Sequence, residues 1–163
     1  MNNTWFNVPE EYSDRRVAIH GRDMSPFFDR TTNYFSASAG LNSTAEDYLK
    51  FEQMLVNGGE LFGNRLLSPR TIEMMSSDQA GGLYNGIGRV QDGLGFGYTV
   101  YVTEDPVAAG ARRSAGAFGW MGAFGTRTWT DPEEALTGVL LLQQPHGRTQ
   151  YDFENAIQQA IID

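Results

Sequence analysis

Cysteine is absent from the 163-residue sequence, and histidine and lysine are scarce, with two histidines and one lysine. Without thiols the chain cannot form disulfides, bind a metal through thiolates or use a cysteine nucleophile. Its two histidines, His20 and His146, are too few for an ordinary zinc site. The composition therefore predicts a protein that works without a metal or other cofactor.

Positive charge is also in short supply, since 12 lysines and arginines face 20 aspartates and glutamates, for a formal net charge of −8. Such a chain repels phosphate groups, so we expect neither nucleic acid nor an anionic membrane surface as a partner. No run of 18 apolar residues is present, and we therefore predict no membrane span. The sequence contains no targeting signal that would assign a compartment.

Several motifs that would indicate an activity directly are missing. There is no Gly-x-x-x-x-Gly-Lys phosphate loop and no His-Glu-x-x-His zinc helix. No Gly-x-Ser-x-Gly turn occurs, and no serine is followed three positions later by lysine, because Asp47 holds that position relative to Lys50. The common serine-nucleophile signatures are thus absent from these 163 residues.

The residues that are present divide the chain into four parts, which we interpret as one domain of residues 1–163. Residues 1–42 are irregular but aromatic, residues 43–80 have helical patterns, residues 81–148 have strand patterns, and residues 149–163 form a C-terminal helix. The predicted fold class is α+β. Helices come first, followed by an antiparallel sheet of three to four strands that the C-terminal helix covers on one face.

Local patterns predict the ends and faces of the helices. A capping box at residues 43–46 predicts a helix with Ser43 as its cap, and glycines 58 and 59 end this helix. We expect Asp47 and Glu52 on its solvated face. The C-terminal helix should start at Thr149 or Gln150 and turn an apolar stripe towards the sheet. The stripe consists of Phe153, Ala156, Ile157, Ala160 and Ile161.

Alternating apolar side chains predict the strands. Phe96, Tyr98, Val100 and Val102 alternate with other residues and predict one half-buried strand. Residues 136–142 are almost continuously apolar, which is typical of a strand at the centre of a sheet.

A segment rich in glycine and alanine, residues 115–125, is the strongest candidate for a binding site. One interpretation is structural: the glycines let neighbouring strands approach closely, and Trp120 is a core residue. The other interpretation is that the segment forms a strand edge along which a ligand lies. Exposed backbone N–H groups on such an edge can bind a carbonyl oxygen as it becomes negative.

Other polar residues give weaker indications of catalysis. We expect His20 to be a structural or surface residue, His146 to lie in a loop, and Glu133 with Glu134 to form a turn. Ser114 is the best candidate for a nucleophile of an unrelated kind, although the sequence shows no base beside it.

Six segments, in order along the chain, resemble the serine beta-lactamase and penicillin-binding-protein-like hydrolases, in particular the class C and esterase-like branch. They are SAGLNSTAEDY at 38–48, MLVNGGEL at 54–61, GNRLLSP at 63–69, GFGY at 95–98, GWMGAFGT at 119–126 and WTDP at 129–132. The resemblance covers most of the chain and implies a partial beta-lactamase/transpeptidase-like fold.

The resemblance also implies which parts of the active site the chain lacks. In that family the nucleophilic serine, its lysine partner and a tyrosine-based motif lie in an N-terminal part, and residues 1–6 look like a stretch just after those motifs. The chain is therefore similar to the C-terminal half of such an enzyme. We expect it to be inactive alone, because an oxyanion hole without a nucleophile supplies only residual catalysis.

The resemblance assigns the remaining site to the glycine-rich segment. Trp120, Met121 and Gly122 occupy the place of the family's Lys-Thr-Gly strand and are implied to bind substrate. Ala123 follows that glycine and is implied to supply a backbone oxyanion N–H. Esterase-type relatives also lack the lysine, so the departure favours an ester or peptide-like substrate over a beta-lactam.

Two functions therefore remain open. The chain is either part of a serine hydrolase that acts on small-molecule esters or amides in the complete enzyme, or a non-catalytic binding or assembly module. The module would pair with itself or with a separate N-terminal half, because the aromatic first forty residues should leave apolar surface uncovered.

Overall fold

The fold is α+β, as predicted, in a computed structural model that describes residues 1–18, 32–84 and 92–162. A 3-10 helix, Glu10–Arg15, lies in the N-terminal segment, and another, Gly81–Leu83, precedes the main sheet. The α-helices are α1 (Ala45–Val56), α2 (Pro69–Met75) and α3 (Gly147–Gln158). The strands are β1 (Glu60–Leu61), β2 (Asn64–Arg65), β3 (Leu94–Phe96), β4 (Tyr101–Thr103), β5 (Phe118–Met121), β6 (Arg127–Asp131) and β7 (Leu136–Leu140). None of the described helices is long and apolar enough to cross a bilayer.

The main sheet has five antiparallel strands in the order β3-β4-β5-β6-β7, whereas the sequence predicts three to four. The difference lies at residues 94–103, where the single predicted strand is a hairpin of β3 and β4. Thr99 adopts a left-handed conformation (φ 68°), and the Gly97 N–H donates to the Val100 carbonyl (2.9 Å). A β-carbon on Gly97 would lie 2.0 Å from the Met75 carbonyl oxygen. The chain therefore turns where it meets the end of α2, and side-chain alternation does not reveal that contact.

Helix α1 begins one residue later than its capping motif predicts. Thr44 is the cap, and its hydroxyl accepts from the Asp47 N–H (3.3 Å). Ser43 instead hydrogen bonds with the hydroxyl of Thr4 (2.8 Å). The helix ends at two left-handed glycines, as predicted, and the backbone of Leu67 leaves no room for a side chain on Gly59.

The prediction that Asp47 and Glu52 are solvated is wrong, because both are buried, with 2% and 3% of their surface exposed. The N-terminal segment covers Asp47, whose carboxylate accepts from the Asn3 N–H (2.6 Å) and the Thr4 hydroxyl (3.2 Å). Glu52 faces the sheet and accepts from the Thr130 hydroxyl (2.7 Å). Both contacts span long sequence separations, so the pattern of helix α1 alone does not show them.

The apolar core lies between the sheet and the helices α1 and α2. It consists of Met54, Leu55, Ile72, Val100, Val102 and Phe118. Leu61, Leu67 and Met75 pack against it from the connecting segments and the end of α2. This packing supports β4 and β5 from one side of the sheet.

Helix α3 covers β6 and β7, as predicted for the C-terminal helix. Trp129 of β6 is completely buried there, in an edge contact with Phe153 (5.9 Å between ring centroids). Its indole lies against Gly138, where a β-carbon would come within 2.2 Å of the ring. A bulkier residue on β7 would therefore displace the tryptophan.

The start and the orientation of α3 differ from the prediction. His146 is the cap, and its Nδ1 accepts from the Thr149 N–H (3.3 Å), so the helix begins at Gly147. Of the predicted apolar stripe, Ala156, Ala160 and Ile161 are exposed. The helix instead buries Glu154, which pairs with Arg113 (3.3 Å) and Arg127 (2.6 Å). Two guanidinium groups on the sheet side thus orient the helix through its carboxylate.

We predict that Asp47→Asn lowers the free energy of unfolding by about 1.5–3 kcal/mol at pH 7, since hydrogen bonds to a charged acceptor are lost. Burial opposes ionisation of Asp47, but hydrogen bonds from Asn3, Thr4 and Lys50 and the charge of the N-terminal amine outweigh it, so the folded pKa is lowered. The stabilisation is therefore lost as pH falls through that folded pKa, and the two proteins should converge in acid. Urea unfolding across pH measures this.

The matched control for Asp47 is Glu46→Gln on the same helix. Glu46 is exposed and pairs with Lys50 at i,i+4 spacing (2.9 Å), so its loss should cost less than about 0.5 kcal/mol. Equal effects of the two substitutions would contradict the anchoring role of Asp47.

We predict the opposite pH dependence for Glu52. Burial raises the pKa of this carboxyl, outweighing the hydrogen bond from Thr130. The folded state therefore favours the protonated form and loses stability as pH rises from the unfolded pKa through the folded one. In Glu52→Gln this loss should disappear, so the variant gains stability relative to wild type as pH rises from the unfolded pKa through the folded one. Parallel urea midpoints at all pH values would contradict the prediction.

Candidate functional site

The candidate site lies at the C-terminal end of β5, where one edge of the strand is open. Strand β6 pairs with β5 along its whole length, from Phe118 to Met121. Strand β4 pairs only with Phe118 and Gly119. Among the residues that the structure describes, Trp120 and Met121 therefore have a strand partner on one side only. The strand edge that the sequence suggests as a ligand site is open over this half of the strand, and ligand binding there stays a prediction.

Backbone groups on this half of β5 are directed to the open side. In an antiparallel strand, the hydrogen-bonding groups of successive residues point to alternate edges. The Gly122 N–H donates to the Thr126 carbonyl on the β6 side (2.9 Å). The backbone groups of Met121, one residue earlier, therefore point to the open edge.

The open edge continues into a tight turn between β5 and β6, which we call the Gly122–Thr126 turn. Two hydrogen bonds close it, from the Gly122 N–H to the Thr126 carbonyl and from the Gly125 N–H to the Gly122 carbonyl (3.1 Å). Ala123 is exposed within it, and in the described part of the chain its N–H donates no hydrogen bond. A fixed, unpaired N–H of this kind can bind an oxygen that acquires negative charge.

Gly125 fits the turn against the segment that leads into α3. It has φ +94°, and a β-carbon there would lie 2.6 Å from the Gln144 carbonyl oxygen. The Gln150 side-chain amide donates to the Gly125 carbonyl (2.8 Å). The turn is thus held both by its own hydrogen bonds and by α3.

Trp120 belongs to a cluster of aromatic rings beside the open edge. It is therefore neither fully buried in the core nor fully exposed. Its indole makes an edge contact with Phe96 (5.4 Å between centroids) and lies 6.1 Å from Tyr101. Tyr84 stacks on the other side of Phe96 (5.1 Å). Trp120, Phe96 and Tyr84 are half-buried, and so they present an apolar surface next to the strand.

A buried arginine holds the cluster from behind. Arg113 donates to the Tyr101 hydroxyl (2.8 Å) and to the Thr103 hydroxyl (2.7 Å). Its guanidinium carbon also lies 4.6 Å from the centroid of the Tyr101 ring. Glu154 balances its charge. The Tyr101 ring beside Trp120 therefore packs against the Arg113 guanidinium, which is itself paired with Glu154 of α3.

Other candidates from the sequence lie away from this edge. Ser114 precedes β5 and is separated from the Gly122–Thr126 turn by the length of the strand, roughly 13 Å at 3.3 Å per residue. Its N–H donates to Asp131 (2.9 Å), at the far end of β6. His146 caps α3, Glu133 and Glu134 lie in the β6–β7 turn as predicted, and His20 lies outside the described residues. No group of three metal-ligating side chains occurs among the residues that the structure describes.

A model of the Beta-lactamase family matches residues 1–161, nearly the entire chain. The chain belongs to the beta-lactamase family. This confirms the resemblance drawn from the sequence segments, and the helices, five-stranded antiparallel sheet and C-terminal helix are the corresponding part of the beta-lactamase/transpeptidase-like fold.

Individual members of the family match with moderate identity. An uncharacterized protein of Mycobacterium tuberculosis is 30% identical over 159 residues, covering 88% of this chain and 40% of that protein. Esterase EstB of Burkholderia gladioli is 34% identical over 110 residues, covering 66% of this chain and 26% of the esterase. The solved structure of EstCE1, a hydrolase with promiscuous acyltransferase activity, has a TM-score of 0.64 and 27% identity over 74% of this chain and 31% of its own.

The chain therefore spans well under half the length of these relatives. These relatives contain further segments, so the comparison covers only part of each of their chains. Trp120, Met121, Gly122 and Ala123 stay predicted site residues. The sequence did not indicate that Phe96, Tyr84 and Gln150 lie beside them, because ring contacts and a helix-to-turn hydrogen bond leave no signature in spacing.

We predict that Gly125→Ala destabilises the Gly122–Thr126 turn more than a left-handed glycine substitution does elsewhere. The matched control is Gly116→Ala, at φ +84° with no atom within 4 Å of the added β-carbon. Both variants carry the left-handed penalty of about 1–2 kcal/mol, and only Gly125→Ala adds a backbone collision. In thermal unfolding, Gly125→Ala should have a clearly lower melting temperature than Gly116→Ala. Equal melting temperatures would contradict the close contact between Gly125 and the Gln144 backbone.

Proposed function

We propose that this chain is the oxyanion and substrate strand portion of a serine hydrolase of esterase type. The observation that carries the proposal is the open edge of β5 running into the exposed, unpaired N–H of Ala123. In acyl transfer the carbonyl oxygen becomes negative as a serine attacks, and a preorganised backbone N–H stabilises that charge. Ala123 would supply one such donor, and the residues that precede it would line the bound substrate.

The nucleophile in this proposal comes from outside these 163 residues. The sequence contains no Ser-x-x-Lys motif, and Ser114 lies at the opposite end of β5 from Ala123. The complete enzyme would form an acyl-serine on the nucleophile of the family's N-terminal part, which would face the open edge. The chain alone would be inactive, since only one of the required groups is present.

The substrate class follows from the rings beside the strand. Trp120 stands where other members of the family carry a lysine, so no ammonium group is available at that position to bind a beta-lactam carboxylate. The half-buried rings of Trp120, Phe96 and Tyr84 favour an apolar acyl or leaving group. Similarity to Esterase EstB supports an ester as the substrate, and similarity to EstCE1, a hydrolase with promiscuous acyltransferase activity, supports acyl transfer.

We expect a serine-directed fluorophosphonate to leave the purified chain unlabelled, while an intact esterase of the family, treated in parallel, is labelled stoichiometrically. Intact-mass spectrometry measures the adduct. A covalent adduct on this chain would overturn the proposed division of the active site. Its loss in Ser114→Ala would then identify Ser114 as the nucleophile of an independent enzyme.

A non-catalytic assembly module is the second candidate function, and exposed apolar side chains favour it. In the N-terminal segment Tyr34 and Phe35 are 79% and 62% exposed, and Ile162 after α3 is 91% exposed. Surface of this kind can pair with itself or with a separate N-terminal half. Multi-angle light scattering that shows a monomer, together with no binding of a hydrophobic dye, would count against this candidate.

A further inference from the structure

Helix α3 contacts the Gly122–Thr126 turn through Gln150, and we propose that this residue is a positioning residue for the Ala123 N–H. Its side-chain amide donates to the Gly125 carbonyl at 2.8 Å. The inference rests on the proposed function, because it assigns to Gln150 the task of fixing the direction of the oxyanion donor. Gln150 itself touches no reacting atom.

The hydrogen bonds inside the turn leave a place for this contact. The carbonyls of Gly122 and Thr126 accept the two hydrogen bonds that close the turn. The Gly125 carbonyl takes no part in that closure and instead accepts from Gln150. The Gly125 N–H donates to the Gly122 carbonyl (3.1 Å), and that carbonyl lies in the same peptide plane as the Ala123 N–H. Holding Gly125 in place therefore also holds the direction of the Ala123 N–H.

Gln150 is itself held rigidly at the start of α3. Its backbone N–H donates to the His146 carbonyl (3.3 Å), and His146 caps the helix through Thr149. The side chain is half-buried, whereas its neighbours Thr149 and Tyr151 are exposed. The helix therefore presents one ordered amide to the turn.

The consequence for catalysis is geometric. Hydrogen-bond strength falls steeply when the angle at the donor is poor, and a displacement of about 1 Å in an active site can reduce the rate roughly 100-fold. Gly125 has no side chain to pack, so its carbonyl and its close approach to Gln144 determine where the turn lies. Removing the Gln150 donor should loosen the turn without disturbing the core.

The test compares Gln150→Met with Gln159→Met. Methionine keeps the length, the neutral charge and the helix propensity of glutamine and removes the donor. Gln159 is exposed just after the other end of α3, where its amide oxygen accepts from the Arg112 guanidinium (3.2 Å). Gln159→Met is therefore the matched control, because it also removes a side-chain hydrogen bond of glutamine but away from the turn. Amide hydrogen exchange by NMR at Gly122 and Gly125 reports closure of the turn, and the ¹⁵N order parameter of Ala123 reports the rigidity of the donor.

We expect Gln150→Met to accelerate exchange at Gly122 and Gly125 roughly 2- to 10-fold, the factor that one lost hydrogen bond produces. The order parameter of Ala123 should fall, and the melting temperature should match that of Gln159→Met. Gln150→Lys retains a donor of similar reach and should restore slow exchange. Unchanged exchange and order in Gln150→Met would overturn the proposal, as would a failure of Gln150→Lys to restore them.

The outcome is separable from that of the proposed function. Exchange and relaxation are measured on the chain alone and need no hydrolysis. A fluorophosphonate adduct would contradict the proposed function and leave the Gln150 result in place. Unchanged exchange would contradict the role of Gln150 and leave the proposed function in place.

Discussion

The number of strand partners along β5 is the constraint on which the site depends. The strand is paired on both sides at Phe118 and Gly119 and on one side at Trp120 and Met121. The hairpin of β3 and β4 turns away at Gly97, where it meets the end of α2, and so leaves the second half of β5 uncovered. An unpaired strand edge is normally a risk for aggregation. Here it is two residues long and is bordered by aromatic rings and a tight turn.

A second constraint is the ionic cluster under α3. Glu154 is 6% exposed and lies between Arg113 and Arg127, which come from the loop before β5 and from the start of β6. Buried charges of this kind are costly unless paired, and removing one partner would leave another uncompensated. The cluster therefore fixes how α3 sits on the sheet. Arg113 of this cluster donates to Tyr101, which lies beside Trp120. The helix that the cluster fixes carries Gln150, which contacts the Gly122–Thr126 turn.

The sequence predicts the kind of fold well and the contacts of single residues less well. Local chemistry identifies the end of α1, because glycines 58 and 59 terminate it as predicted. It also indicates where backbone segments approach closely, because glycine is needed where Gly122 and Gly125 meet neighbouring atoms. Local chemistry places the starts of α1 and α3 only to within a few residues. It fails for Asp47 and Glu52. Their partners, Asn3 and Thr130, are 44 and 78 residues away, and no helical pattern encodes such contacts.

In the proposed function, tryptophan at position 120, where the resemblance places the lysine of a Lys-Thr-Gly strand, changes how the strand would bind substrate. An ammonium group at the start of a Lys-Thr-Gly strand attracts an anionic substrate group through space, whereas an indole binds by contact and needs a surface to continue it. Phe96 supplies that surface through an edge contact with the indole, with 5.4 Å between the ring centroids, and Tyr84 extends it. Aromatic pairs in this arrangement contribute about 0.5–1.5 kcal/mol beyond the area they bury. The tryptophan is thus stabilised by its neighbours before any ligand arrives. Under the proposed function, the net charge of −8 would also repel anionic substrates, so tryptophan at this position and the overall charge both favour a neutral ester over a carboxylate.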